Sequence, residues 1–173
     1  MLLQITEVDH LEAWEPWATR WDELVQDRPM RSTTWLTEWW EQFRTPHKRL
    51  GVLMFEHGKR LVGAAPIYYV FAGGKSPIVR LLGDSGNICT DHTTWFALPD
   101  YREAVGIKVA RWLLKKHSWQ RLHWEYVDVQ EPAMAATLAV FRKYGYPVHD
   151  APGESCWSID LPSDWDDYLS GLS

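Results

Sequence analysis

Two long apolar runs govern what this chain can fold into. Leu50-Gly51-Val52-Leu53-Met54-Phe55 and Leu61-Val62-Gly63-Ala64-Ala65-Pro66-Ile67-Tyr68-Tyr69-Val70 stand on either side of His57-Gly58-Lys59. Apolar runs flanking a glycine-containing turn predict a β-hairpin. Pro66 has no N–H to give to a ladder, so a bulge or an edge position is expected there.

Helical and extended patterns surround this hairpin. Leu3, Ile5 and Val8 suggest a first strand. Leu11, Trp14, Trp17, Trp21 and Leu24/Val25 recur every three to four residues, which predicts an amphipathic helix with its tryptophans in the core. Ser32 or Thr33 can cap a second helix carrying Trp35, Leu36, Trp39, Trp40 and Phe43. Beyond the hairpin, 78–82 and 88–96 read as strands and Asp100 to about His117 as a helix. Residues 121–127 alternate with period two, as a half-buried strand does. Pro132 opens a helix reaching Tyr144, which Gly145 ends as a left-handed cap. Residues 146–149 and 155–161 read as short strands, and Ser163 starts a last acidic helix. The order β-α-α-β-β-β-α-β-α-β-β predicts an α/β fold, a mixed central sheet flanked by helices.

A chain of 173 residues fits one domain with a sizeable core. A net charge of -5 argues against nucleic acid or anionic lipid as a partner, since both call for a basic face. Cys89 and Cys156 are the only cysteines and have no zinc-ligand spacing, which suits a reducing compartment while leaving a single disulfide open. The N-terminus is not a signal peptide, and no run of about 18 apolar residues occurs. A cytoplasmic protein without a membrane span is expected.

Several short patterns invite a chemical reading. Gly83-Asp84-Ser85-Gly86 is similar to a serine-protease nucleophile loop, but no partner His and Asp are recognisable, and a tight turn explains it better. Gly74-Lys75-Ser76 lacks the first glycine of a phosphate-binding loop, and Pro77 blocks the helix that should follow. Cys89, Asp91 and His92, with His123 as a further ligand, are close enough for a metal, yet 89 and 91 share a strand face that 92 does not. Lys108, Arg111, Lys115 and Lys116 read as a solvated helix face. Trp39 and Trp40 are neighbours that cannot both face inward equally, so a ligand face remains open for them beside a core one.

Leu138-Ala139-Val140-Phe141-Arg142-Lys143-Tyr144-Gly145-Tyr146 is similar to the Leu-Tyr-x-x-x-Gly-Phe signature of GNAT acyltransferases, whose element order this succession resembles. Pro29, Ser32, Trp35, Trp39, the Leu61 to Pro66 strand, Leu81-Leu82-Gly83, Asp91 and Trp165 to Leu172 resemble one subgroup, the CelD-like acetyltransferases named for cellulose biosynthesis. The resemblance implies a GNAT-like fold, with 1–162 as an N-terminal domain. It also implies that 163–173 begins a linker helix to a second GNAT-like domain that this chain lacks. Asp84, Asp91, His92, Trp39 and Trp40 become candidate substrate-binding residues, with Asp91 near a strand end.

Two departures from that family bear on activity. Its Gln/Arg-x-x-Gly-x-Gly/Ala cradle for the acyl-CoA pyrophosphate falls here on Ala97-Leu98-Pro99-Asp100-Tyr101-Arg102-Glu103-Ala104, which contains no glycine and adds two carboxylates. The signature tyrosine is Phe141, which has no proton to give a leaving thiolate. The expectation is therefore a non-catalytic half of a two-domain acyl-CoA-dependent N-acyltransferase, with no catalytic, cofactor or metal residue of its own. Such a half would form part of the cleft for a small-molecule, sugar or peptide amine. Acetyl-CoA or another acyl-CoA would serve the complete protein, and the expected partner is the missing domain or a second copy of the chain. The alternative is a stand-alone binding or interaction module that keeps only the fold.

Overall fold

A computed structural model of the chain describes residues 2–26, 28–73, 76–84, 93–116, 119–153, 159 and 161–171. The fold is mixed α/β. Strand β1 (Gln4–Val8) is followed by α1 (Leu11–Trp14), a 3-10 turn (Glu15–Trp17), α2 (Ala18–Val25) and α3 (Thr33–Phe43). Five strands come next: β2 (Lys48–Leu50), β3 (Val52–His57), β4 (Arg60–Ala65), β5 (Ile67–Val70) and β6 (Ile78–Leu81). Then β7 (Phe96–Ala97), α4 (Arg102–Lys116), β8 (Arg121–Leu122), α5 (Pro132–Lys143) and α6 (Trp165–Ser170) complete it.

The hairpin is the spine of two four-stranded sheets, in the orders β1-β3-β4-β7 and β2-β5-β6-β8. Pro66 interrupts one arm between β4 and β5, as its missing N–H requires. Gly51 interrupts the other arm, where a Cβ would lie 2.2 Å from the Tyr69 ring. Side chains alternate between two cores. Leu53 and Phe55 face one, which α4 and α5 complete with Val109, Leu113, Met134 and Phe141. Val52, Met54 and Tyr68 face the other, which α1–α3 complete with Trp14, Trp21, Leu36, Trp39 and Trp40. Helices therefore cover both faces of the strands. On one of those faces α4 and α5 approach until a Cβ on Gly106 would meet the Ala133 carbonyl oxygen at 2.0 Å. The Thr137 hydroxyl lies 2.9 Å from the carbonyl oxygens of both residues and accepts from the Trp95 indole.

Several expected elements differ. The helix expected over 11–25 is broken, because Pro16 cannot continue an α ladder. Its stripe is only partly core: Trp14 and Trp21 are fully buried, whereas Trp17 is half-buried with the Arg20 guanidinium over its ring. The 121–127 strand stops at Leu122, and Tyr126 adopts a left-handed φ of 57°. Of the 88–96 strand, 88–92 lie outside the described residues, and the observed strand is Phe96–Ala97. Residues 146–149 make no strand, and most of 155–161 lies outside the described residues. The last helix starts from Asp164, whose carboxylate accepts from the N–H groups of Asp166 and Asp167, and not from Ser163. Ser32 caps α3 by accepting from the Trp35 N–H, and Gly145 takes a left-handed φ of 78°, both as expected. Among the described residues, no helix is long and apolar enough to cross a membrane.

Candidate functional site

The site grows from a break in the sheet. The arm formed by β4 and β5 pairs antiparallel with β6 at Ile67↔Leu81 and with β7 at Ala64↔Phe96. It advances across only Ala65 and Pro66, while the opposite chain departs at Leu82 and returns at Phe96. On its other side β6 pairs parallel with β8 through Ile78↔Arg121 and Val79↔Leu122, and the His123 N–H donates to the Val79 carbonyl at 3.0 Å. Regular pairing of β8 ends there, leaving 123–126 beside the point where β6 turns away.

Charged groups gather at this point. Asp84 is wholly buried at the start of the excursion. Its carboxylate accepts from the Leu81 N–H at 3.1 Å, from the Tyr68 hydroxyl at 3.2 Å and from Arg80 Nε at 3.2 Å. Burial outweighs these donors and pushes the Asp84 carboxyl up to about 6. Arg80 also donates to Glu125 Oε2 at 2.6 Å, and His123 Nε2 lies 3.5 Å from Glu125 Oε1. Burial opposes the Arg80 charge, but Asp84, Tyr68 and Glu125 outweigh it and push the guanidinium up. Burial and then Arg80 push the His123 imidazolium down, against Glu125. The Thr93 hydroxyl donates to the Glu125 carbonyl at 2.9 Å, which pins the returning chain to the same place. A buried carboxylate is thus wired through one guanidinium to a half-exposed carboxylate and imidazole.

Glu125 and His123 open onto a groove of about 1230 Å³. Met134, Leu138 and Phe141 of α5 line it, with Trp119, Trp124 and Tyr146. Phe141 belongs to this aromatic wall, within 6.4 Å of the Trp124 ring and 5.9 Å of the Tyr146 ring. The groove therefore combines an apolar, aromatic wall with one polar corner. Such a corner can hold a cation, through Glu125, and exchange a proton, through His123.

Of the residues expected at an acceptor site, three are linked. Trp39 and Trp40 place their ring centroids 5.8 and 5.9 Å from that of Tyr68, whose hydroxyl meets Asp84. Both tryptophans are nonetheless buried, with relative exposures of 3% and 6%, and pack in the core. Asp91 and His92 lie outside the described residues, as do Cys89, Ser85 and Cys156. Among the described residues, no three potential ligands gather around a metal position. Arg80, Glu125 and Tyr68 carry the cluster, yet in sequence each reads only as one position of a strand.

The entry to α4 is led by a proline and contains no glycine before Gly106. Pro99 opens the 3-10 turn and offers no N–H, and the Leu98 N–H already donates to Val62 while that of Tyr101 donates to Leu98. Asp100 and Glu103 sit in the first turns, and Glu131 lies 4.0 Å from Arg102 Nε. Asp100, Glu103 and Glu131 place negative charge here, and Arg102, with Arg28 and Arg31 near it, places positive charge beside them.

No protein-family model matches the chain, and no curated protein does. Solved structures overlap it loosely. An aminoglycoside 6'-N-acetyltransferase from Acinetobacter haemolyticus aligns with TM-score 0.48 and 14% identity, over 91% of this chain and 99% of that one. A ribosomal-protein-alanine N-acetyltransferase from Brucella melitensis aligns with TM-score 0.44 and 15% identity, over 92% and 100%. A transcriptional regulator from Bacillus halodurans aligns with TM-score 0.48 and 10% identity, over 90% and 100%.

Proposed function

We propose that this chain is a GNAT-like domain that holds an amine acceptor and does not itself bind acyl-CoA. In this reading it is the acceptor-side, N-terminal half of a two-domain acyltransferase of the CelD-like type. The observation that carries it is the Asp84–Arg80–Glu125 chain, which brings a carboxylate and a neutral-leaning imidazole to the wall of an aromatic groove. Glu125 seats the ammonium group, and the apolar wall takes the body of the acceptor. His123, whose imidazolium is disfavoured, accepts a proton from the seated ammonium. Arg80 fixes the Glu125 carboxylate through the 2.6 Å hydrogen bond that its guanidinium donates.

The proline-led, glycine-free entry to α4 supports placing acyl-CoA binding on another domain. A stand-alone binding module is the second reading, favoured by that same entry. Calorimetry with acetyl-CoA, and NMR titration with an amino sugar and a lysine-containing peptide, test the proposal. The amines are expected to shift the Glu125 and His123 resonances, and acetyl-CoA to give no heat. A one-to-one micromolar isotherm with acetyl-CoA would overturn the assignment of roles.

A further inference from the structure

Strand β8 is the outer strand of the sheet β2-β5-β6-β8, and it lies along the aromatic groove. Its parallel pairing with β6 is one-sided. The His123 N–H donates to the Val79 carbonyl at 3.0 Å. Consecutive residues of an extended strand direct their N–H and C=O to opposite sides, so those of Leu122 point to the edge away from β6. Among the described residues, neither group of Leu122 has a backbone partner on that edge. The Leu122 side chain lines the groove, with Trp119, Trp124, Phe141 and Tyr146 in the same lining. An open strand edge beside an apolar wall is the form of site that takes an extended peptide as an added strand.

One end of this edge is charged. Glu125 and Asp150 are the carboxylates of the groove lining, and Arg121 is its one guanidinium. Arg142 lies 3.8 Å from Asp150, and Arg80 donates to Glu125 Oε2. That leaves Glu125 Oε1, 3.5 Å from His123 Nε2, to accept from a cation. We infer that the acceptor is a peptide, bound as an extended strand antiparallel to β8 with its N-terminal ammonium at Glu125. This rests on the acceptor reading above and names the acceptor. Glu125 follows Leu122 by three residues. An antiparallel peptide that starts at Glu125 therefore pairs roughly its fourth residue with Leu122.

A compact amine reaches Glu125 and one part of the wall. An extended chain reaches Glu125 and the Leu122 edge together, and it brings the N–H and C=O that this edge lacks. The groove volume of about 1230 Å³ also exceeds the roughly 300–1,000 Å³ of ordinary small-molecule sites. Alternate side chains of the added strand face the aromatic wall, so apolar residues are expected at every second position. The ammonium fixes the chain end, and the edge bonds fix its direction.

NMR titration of the full chain tests the inference with four kinds of probe. These are a short apolar peptide with a free N-terminus, its N-acetylated form, copies N-methylated at one backbone amide each, and phenethylamine. The free peptide should shift the Leu122 amide and the Glu125 side chain together and slow exchange of that amide. N-acetylation should weaken binding about tenfold, and N-methylation opposite Leu122 about fivefold. Glu125→Gln, at a part-exposed position, should bind the free and acetylated peptides alike. Phenethylamine that shifts Glu125 while the peptide binds no tighter overturns the peptide and leaves the acceptor reading standing. Peptide binding along Leu122 that is indifferent to N-acetylation overturns the seat at Glu125, and the acceptor reading with it. Silence from every probe overturns both. A Leu122 amide already protected in the free chain overturns the inference too, because the chain itself would then cover the edge.

Discussion

Arg80 lies in β6 and Asp84 just beyond its end, and their side chains meet at 3.2 Å although Asp84 has no exposed surface. The guanidinium reaches on to Glu125, so one residue joins the core to the groove. Removing it leaves a buried carboxylate with, among the described residues, only the Tyr68 hydroxyl and the Leu81 N–H as donors. Arg80→Met should therefore destabilise the chain by about 3 to 5 kcal/mol, read from urea unfolding at pH 7.5. A loss below about 1 kcal/mol would show that Asp84 is satisfied without it.

Asp84 also predicts a pH dependence. Its folded value of about 6 exceeds the ordinary 3.8. Between those values the folded chain keeps a proton that the unfolded chain has released. The stability associated with this group is thus fully present below pH 3.8 and is lost as pH rises through about 6. The span of about two units corresponds to about 3 kcal/mol. Across pH 4 to 7.5 the stability of the parent, read from urea unfolding, should fall by about this amount more than that of Asp84→Asn. The Asp84 carboxyl carbon should titrate near 6 by NMR.

Trp21 is fully buried between the Trp14 ring at 4.7 Å and the Phe96 ring at 4.8 Å, and its indole donates to the Arg31 carbonyl at 2.8 Å. Trp21→Ala should cost about 3 to 5 kcal/mol, by the cavity and by the carbonyl it orphans. Trp17→Ala, at a half-buried ring, should cost far less. Thermal melts of the two variants measure the contrast.

Gly106 allows α4 to touch α5. A methyl there meets backbone, the Ala133 carbonyl oxygen at 2.0 Å, which cannot rotate away as a side chain could. Gly106→Ala should therefore destabilise by about 1 to 3 kcal/mol despite its better helix propensity. An unchanged unfolding midpoint would show that the helices separate without cost.

Local chemistry made much of the fold legible in the residues themselves. The turn at Gly58, the interruption at Pro66, the Ser32 cap and the left-handed Gly145 follow from what one side chain or one missing N–H permits. Where a pattern had two meanings, the tertiary structure chose. Trp39 and Trp40 are both buried because α3 presents a face broad enough to take adjacent positions to the core. Residues 121–127 alternate in sequence, but pairing with β6 ends at Val79↔Leu122 while β6 runs on to Leu81 against β5, and burial beyond Leu122 does not alternate.

The sequence by itself determined the fold class, the hairpin around Gly58 and the helices over 33–43, 102–116 and 132–143. Each depends on residues close together in the chain. The candidate site was decided only by tertiary structure. Tyr68 stands opposite Arg80 through antiparallel register, and Glu125 comes within 2.6 Å of Arg80 through parallel pairing across a helix-containing connection. Periodicity tells which face a residue takes and not which residue it meets there. Register between distant strands is set by the packing of the whole core, so Arg80 and Glu125 acquire a meaning only when the sheet has formed.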